Sequence, residues 1–326
     1  MSRLLCYVAN AALLLIATST LADESRDQIH FLIPAGPGGG WDSTARAIGL
    51  AMDQGEIAEQ VTFENLSGGG GGRALAKFIG NPNRYKDALL ISSTPIIVRS
   101  LQGVFPQTFR DLRPVASVIS DYSCFAVHPD SDIQSFKELV AQFKRDPRGT
   151  LAGGGSVRGD TDHFVLARAL QLAGIDPLKV RYLAYDGGGQ AAASLAAREI
   201  NVLSTGFSEA IGQHRAGLLR IIAVTAERPI ESAPGIPTLI DQGFDLTFAN
   251  WRGFFAHQRA SDASYDGFVQ MLKATVDSSH FEDIREKNGW QPHFIAGEDF
   301  KAFLMEQETQ IRTLMQTVGY LEAESR

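Results

Sequence analysis

The sequence predicts an α/β fold of two lobes around a cleft, and three observations carry that reading. Apolar runs of strand length end repeatedly in glycine-rich or hydroxyl-rich turns that lead straight into helix-compatible segments. This unit recurs before residue 115 and again after residue 127, separated by one long extended stretch at 115–127. A second apolar stretch at 248–256 then reads as a return strand. Successive strand–turn–helix units imply a parallel sheet with helices packed on it. In such sheets ligands lie beyond the carboxyl ends of the strands, where these turns converge.

The opening unit, FLIPAGPGGGWDSTAR, is the most specific. Phe31, Leu32 and Ile33 form a buried strand. Pro34 to Gly40 cannot continue it, because two prolines remove backbone donors and four glycines admit angles that other residues avoid. Helical spacing begins near Trp41 and runs over 43–53. The first N–H groups of such a helix lack partners within it, and the dipole adds about half a positive charge, so the junction is built to hold an anion. A second strand at 61–66 ends at Gly68 to Gly72 ahead of a helix at 73–79. A third, at 88–92, ends in Ser93-Thr94-Pro95 before another apolar helix.

Beyond the crossing stretch, a helix at 135–144 and a strand at 150–152 lead into Gly153-Gly154-Gly155-Ser156 and a helix at 161–173. The strand at 180–183 ends at Tyr185-Asp186-Gly187-Gly188-Gly189, which starts a helix at 190–197. Residues 201–203 end in Ser204-Thr205-Gly206, and 219–224 completes a second sheet. After Arg228 the chain is rich in loops, and beyond the return strand it is read as mainly helical, at 263–276, 281–288 and 298–318, packed back on the first lobe. The expected division is 23–122 plus 250–326 for lobe 1 and 123–249 for lobe 2, each a mixed sheet flanked by helices. Two crossings between them make a hinge.

A chain of 326 residues fits about two domains. With 44% hydrophobic and 21% charged residues it is neither disordered nor fibrous. Its net charge of −7 argues against nucleic acid or an anionic membrane surface as partner. The amino terminus MSRLLCYVANAALLLIATSTLA has the form of a secretory signal peptide over 1–22, with the mature start near Asp23. No later segment is long enough to insert into a membrane, so an exported, soluble mature chain is expected. Cleavage would remove Cys6 and leave Cys124 as a lone, buried, apolar residue.

The glycine turns match neither Gly-x-Gly-x-x-Gly nor a phosphate loop followed by Gly-Lys-Ser/Thr, and the seven histidines have no metal spacing. No cofactor and no metal are expected. Gly206-Phe207-Ser208-Glu209-Ala210 lacks the last glycine of a hydrolase elbow. An enzyme is therefore not expected, and the competing reading is a hydrolase using Ser156 or Ser208 with His163. A sensor that presents its ligand to a signalling protein is a third reading. An ionised Asp42 would repel a carboxylate, so it is read as ordering the turn, with contact to a ligand hydroxyl or water as the alternative. Trp41 either packs under the loop or walls the cleft. Arg46, Arg73, Arg99, Arg158 and Arg252 lie near the turns as candidate countercharges.

Taken together, Pro34-Ala35, Pro37-Gly38-Gly39-Gly40-Trp41-Asp42, Glu64-Asn65 and Tyr185-Asp186-Gly187-Gly188-Gly189 resemble the substrate-binding proteins of tripartite tricarboxylate transporters, the TctC or Bug type. Pro237-Thr238-Leu239 and Trp251-Arg252-Gly253-Phe254-Phe255-Ala256 fit as well. The resemblance implies a periplasmic binding protein fold of the type II kind, closing on a small-molecule carboxylate that it delivers to a two-component membrane permease. It implies first-lobe contacts at Gly38, Gly39, Gly40, Trp41, Asp42 and Ser43, with Ser92, Ser93 and Thr94. Across the cleft it implies Gly155 and Ser156, with Arg158 nearby, then Tyr185, Asp186, Gly187 and Gly188, and finally Ser204, Thr205 and Gly206. The Gly-Gly-Trp-Asp form of the opening loop resembles the branch that takes citrate-like tricarboxylates. Two segments depart from the family pattern: Asn65-Leu66-Ser67-Gly68, and Ala197-Arg198-Glu199-Ile200-Asn201.

Overall fold

A computed structural model describes residues 28–322, so the expected leader at 1–22 lies outside the described residues. In chain order the first part comprises β1 (Gln28–Ile33), α1 (Gly40–Gln54), β2 (Gln60–Asn65), α2 (Gly72–Gly80), α3 (Pro82–Tyr85), β3 (Ala88–Ser93) and α4 (Pro95–Leu101). Next come β4 (Leu112–Val127), α5 (Phe136–Arg145), β5 (Leu151–Gly154), α6 (Thr161–Leu172), β6 (Arg181–Ala184), α7 (Gly188–Ala196), β7 (Val202–Gly206), α8 (Phe207–Arg215) and β8 (Arg220–Val224). The chain ends with β9 (Ala249–His257), α9 (Asp262–Val276), α10 (Ser279–Asn288), β10 (Gln291–Ala296) and α11 (Gly297–Thr317).

The strands form a path β2-β1-β3-β9-β4-β7-β5-β6, with β8 and β10 both joined to β4. The strand–turn–helix units give parallel ladders, β1 with β2 and β3, and β5 with β6 and β7. The long stretch read as a crossing is β4. It pairs antiparallel with β9 as far as Tyr122, then with β7 from Ser123 and β8 from Cys124. Its burial is nearly continuous because it is covered on both faces.

Local chemistry explains the helices. Ser135 accepts from Glu138 N–H at the start of α5, and Phe136, Leu139, Val140 and Phe143 then bury one helical face. The C-terminal helices pack on the first unit as expected: Phe268, Met271 and Leu272 of α9 share a core with Phe31, Ile48 and Phe254. Cys124 is fully buried, its thiol beside the Gly206 carbonyl, and burial pushes its pKa well up.

One element departs from the expectation of a mainly helical C-terminal part. Residues 291–296 form the strand β10, which among the described residues pairs only with β4 and shifts register between Pro292 and Ile295. A proline fits there because an edge strand can spare a ladder donor. That proline also masks the strand from its sequence pattern.

Glu64 on β2 is gripped by Lys77, Arg84 and Tyr85. Burial alone would raise its pKa, but these hydrogen bonds hold it down at about 2, against 4.5 for the free side chain. The cluster's contribution is therefore complete above pH 4.5 and is lost as pH falls toward 2. The variant Glu64→Gln should flatten this limb of the stability–pH curve. Parallel urea titrations at pH 3 and pH 7 would show it, and an unchanged acid limb would contradict the assignment.

Candidate ligand-binding cleft

The turns at the strand ends enclose one cavity of about 290 Å³. Gly39, Gly40 and Trp41 border it from the start of α1, and Ser93 from the end of β3. Gly155, Ser156, Tyr185, Asp186, Gly187 and Gly188 border it from the other side. All ten of these positions belong to the set implied from sequence.

The remaining residues of that set stand behind the wall. The Asp42 carboxylate accepts from Gly38 N–H at 2.9 Å, Arg46 Nε at 2.9 Å and Asn65 Nδ2 at 2.9 Å. It thereby fixes the turn from below and does not line the cavity. Gly38 and Ser43 belong to the same support, Ser43 N–H donating to the Gly39 carbonyl. Thr94 N–H donates to Asn250 Oδ1, and Ser92 lies beside a smaller void under Trp41. Ser204 is fully buried and donates to the Asp162 carbonyl at 2.8 Å. Thr205 Oγ1 and Gly206 N–H both donate to Glu209 Oε2, capping α8. Arg158 is exposed, and Val157 takes the lining position in its place.

Trp41 fills both roles that its sequence left open. It walls the cavity, and its indole N–H donates to Ser93 Oγ at 2.9 Å.

Four further features add to the lining, and of their residues Asn250, Asp160, Asp162 and Glu209 escaped sequence reasoning. Gly68 to Gly71 line the cavity with backbone alone, all four at positive φ, and their run of glycines was the available signal. Arg252 arrives through the β3–β9 ladder, which sets it opposite Ser93, and Asn250 through the β4–β9 ladder, opposite Asp121. Asp160 and Asp162 come from the start of α6. Glu209 comes from the first turn of α8.

Of the five candidate arginines, Arg252 alone lines this cavity. It is 3% exposed, donates to Asp121 Oδ2 at 2.8 Å and to Thr44 Oγ1 at 2.9 Å, and lies directly under Gly40. A Cβ on Gly40 would come within 2.3 Å of Arg252 Nη2, so the close approach of loop and guanidinium requires glycine. Desolvation raises the Asp121 pKa, while Arg252 and the Ser208 donors pull it back.

The lining also carries four acids, Asp160, Asp162, Asp186 and Glu209. Burial raises Asp160 to about 6, offset in part by Thr161 and Arg99. Burial and the charges of Glu209 and Asp160 push Asp162 well above the usual carboxylate range. Asp186 accepts from Ser67 Oγ at 2.5 and 2.6 Å, a bond that bridges the cleft mouth.

Asp160 therefore costs stability at neutral pH. Its folded pKa of about 6 lies above the free value of 3.8, so the native state gains as pH falls from 6 to 3.8. Asparagine retains the cap on Thr161 N–H, and Asp160→Asn should stabilise the fold by about 1–3 kcal/mol at pH 7. That gain should vanish by pH 4. Urea midpoints at the two pH values test it, and a loss of stability at pH 7 would refute it.

The Ser/His pairs of the hydrolase reading are not assembled. Ser208 Oγ donates to Asp121 Oδ2 at 2.6 Å, and Ser156 Oγ accepts from Asp162 N–H. His163 Nδ1 accepts from Gly159 N–H, and the ring stacks on Tyr320. Burial lowers its pKa to about 4. Among the described residues, no group of three or more His, Cys, Asp or Glu residues is arranged to hold a metal ion, and no helix is long and apolar enough to cross a membrane.

Comparison with known proteins agrees with this architecture. A UPF0065 protein of Bordetella pertussis is 24% identical over 319 residues, covering 97% of each chain. Among solved structures, periplasmic binding protein BugD superposes with a TM-score of 0.80 at 18% identity, over 90% of this chain and 98% of its own. An R. palustris protein with adipate superposes with a TM-score of 0.81 at 18% identity, over 90% and 97% of the two chains. These likenesses establish the two-lobed periplasmic binding protein fold. The sequence model of the tripartite tricarboxylate transporter family receptors, TctC, matches residues 45–320, and the chain belongs to that family of solute-binding receptors.

Proposed function

We propose that this chain is an exported periplasmic receptor that captures a small carboxylate solute between its lobes and hands it to the membrane permease of a tripartite transporter. The observation that carries this is a set of donors on one wall of the cavity that have no internal partner among the described residues. Ser93 is 1% exposed and its hydroxyl oxygen accepts from Trp41, which leaves its proton for a ligand. Arg252 spends two N–H groups on Thr44 and Asp121 and keeps others, and Asn250 accepts from Thr94 N–H, keeping its NH₂. With the amides at the start of α1, they suit one carboxylate.

The adipate carried by the R. palustris neighbour supports the same class of ligand. The form of the Trp41 loop makes citrate the first tricarboxylate to examine. The change of partners along β4 at Tyr122 and Ser123 supports a lobe boundary there. Residues 1–22 serve as the export signal in this reading. No covalent step is involved, and the ligand favours closure because only then do both lobes touch it.

A thermal-shift panel of mono-, di- and tricarboxylates tests the reading. A solute at about 100 times its Kd should add about 2.7 kcal/mol of stability. If folded protein responds to no carboxylate at all, the receptor reading fails.

A further inference from the structure

We propose that the solute carries a cationic group as well as a carboxylate, the carboxylate lying against Ser93, Asn250 and Arg252 and the cation against Asp160, Asp162 and Glu209. The inference rests on the carboxylate-receptor reading and narrows its ligand class to zwitterions.

The cavity is electrically one-sided. Among the described residues Arg252 is the only basic one lining it, and Asp121 already pairs with that charge. Asp160, Asp162, Asp186 and Glu209 line it as well. Asp186 is engaged by Ser67 at the mouth. The other three come together from the starts of α6 and α8, close enough that the charges of Glu209 and Asp160 both act on Asp162.

Asp162 is engaged by Gly155 and Ser156, but helix capping accounts for only part of Glu209 and of Asp160. Glu209 commits Oε2 to Thr205 and Gly206, and Asp160 commits Oδ1 to Thr161. Among the described residues, no hydrogen bond engages Glu209 Oε1 or Asp160 Oδ2. Glu209 Oε1 lies beside the backbone of Gly188 and Gly39, on the cavity side.

An independent feature shows that this space awaits a ligand. Ser93 and Arg252 are both more than nine-tenths buried, and both keep N–H or O–H groups unspent toward the same cavity. They fix where the carboxylate sits, and the acids line the rest of the same cavity, Glu209 nearest, since its Oε2 and Arg252 Nη2 both flank Gly206. A second or third ligand carboxylate in that position would meet like charges at short range in a site of low dielectric. An ammonium or alkylated amine would find Glu209 Oε1 and Asp160 Oδ2 as acceptors, and its charge would favour ionisation of Asp162 beside them. The Coulomb term thus selects between two solutes of the same length that differ only in the sign of the distal group.

The test is calorimetry on the wild-type chain with pairs matched in length: γ-aminobutyrate against succinate, and 5-aminovalerate against glutarate. Alanine, glycine betaine and citrate complete the set. The expected result is that at least one zwitterion binds about tenfold or more tightly than every dicarboxylate and citrate. In Glu209→Gln and Asp162→Asn that ratio should fall by about tenfold. Glutamine keeps an acceptor for the α8 cap, and melting curves by circular dichroism verify the fold.

If succinate, glutarate or citrate binds as tightly as any zwitterion, this proposal is overturned and the carboxylate-receptor reading stands. If zwitterion preference survives both substitutions unchanged, the acids assigned here are wrong. If nothing in the set binds, this proposal fails together with the reading beneath it.

Discussion

Replacing Arg252 by alanine is expected to cost about 3–5 kcal/mol of folding stability, because it strands the Asp121 carboxylate, 1% exposed, without its countercharge. Two donors from Ser208, its N–H and its hydroxyl, would remain on Asp121, and they do not neutralise it. Without the guanidinium, the folded pKa of Asp121 rises further above its ordinary 3.8. The folded variant then binds a proton that the unfolded chain releases, so the penalty should shrink as pH falls from 8 to 5. The double variant Arg252→Met with Asp121→Asn should recover much of the loss, since removing both charges removes the desolvation problem. Urea denaturation across this pH range measures all three effects. A loss below about 1 kcal/mol at pH 8 would mean that water reaches Asp121 in the native protein.

The second large effect concerns Gly155→Ala. Its Cβ would stand 2.3 Å from Gly188 N and 2.4 Å from Gly187 C, backbone atoms that cannot rotate away. The two loops of the second half would have to part, shifting Gly187 and Gly188 against the cavity. Overpacking of this kind costs about 1–3 kcal/mol. Ligand affinity should fall by about 100-fold, close to 2.8 kcal/mol, because the cavity geometry itself moves. Gly212→Ala is the control. It lies in α8 with nothing within 4 Å of the new Cβ, and should be neutral or slightly stabilising with affinity unchanged. Equal affinities for Gly155→Ala and the wild type would show that these loops yield freely.

Much of this architecture was legible in sequence, because backbone constraints leave local marks. Prolines and glycines after an apolar run declare a turn wherever the chain goes next, so the turns at Gly39 to Trp41, Gly155-Ser156 and Tyr185 to Gly188 are marked in the sequence, and the family resemblance implies them as contacts. Asp42 could be assigned to the turn by sign of charge, and its three donors bear that out for the loop.

What was hidden depends on register between distant segments. Nothing near Arg252 says that it faces Ser93, because that pairing is set by the β3–β9 ladder across some 160 intervening residues. Asp160, Asp162 and Glu209 sit in first turns of helices, where acids are ordinary, so their sequence carried no sign that three would meet in one cavity. Ser204 and Thr205 were misplaced for the reverse reason. Hydroxyls at a strand end look available, yet here they are consumed in supporting α6 and α8.

Asp121 gives the crossing strand a further consequence. It lies next to the point where β4 changes partners, holding Arg252 of β9 with one oxygen and the start of α8 through Ser208 with both. A dry ion pair is costly, and admitting water to it relieves that cost. Under the proposed receptor function, gaping of the lobes would wet this junction and relieve that cost, so the pair would oppose closure until a solute supplied contacts of its own.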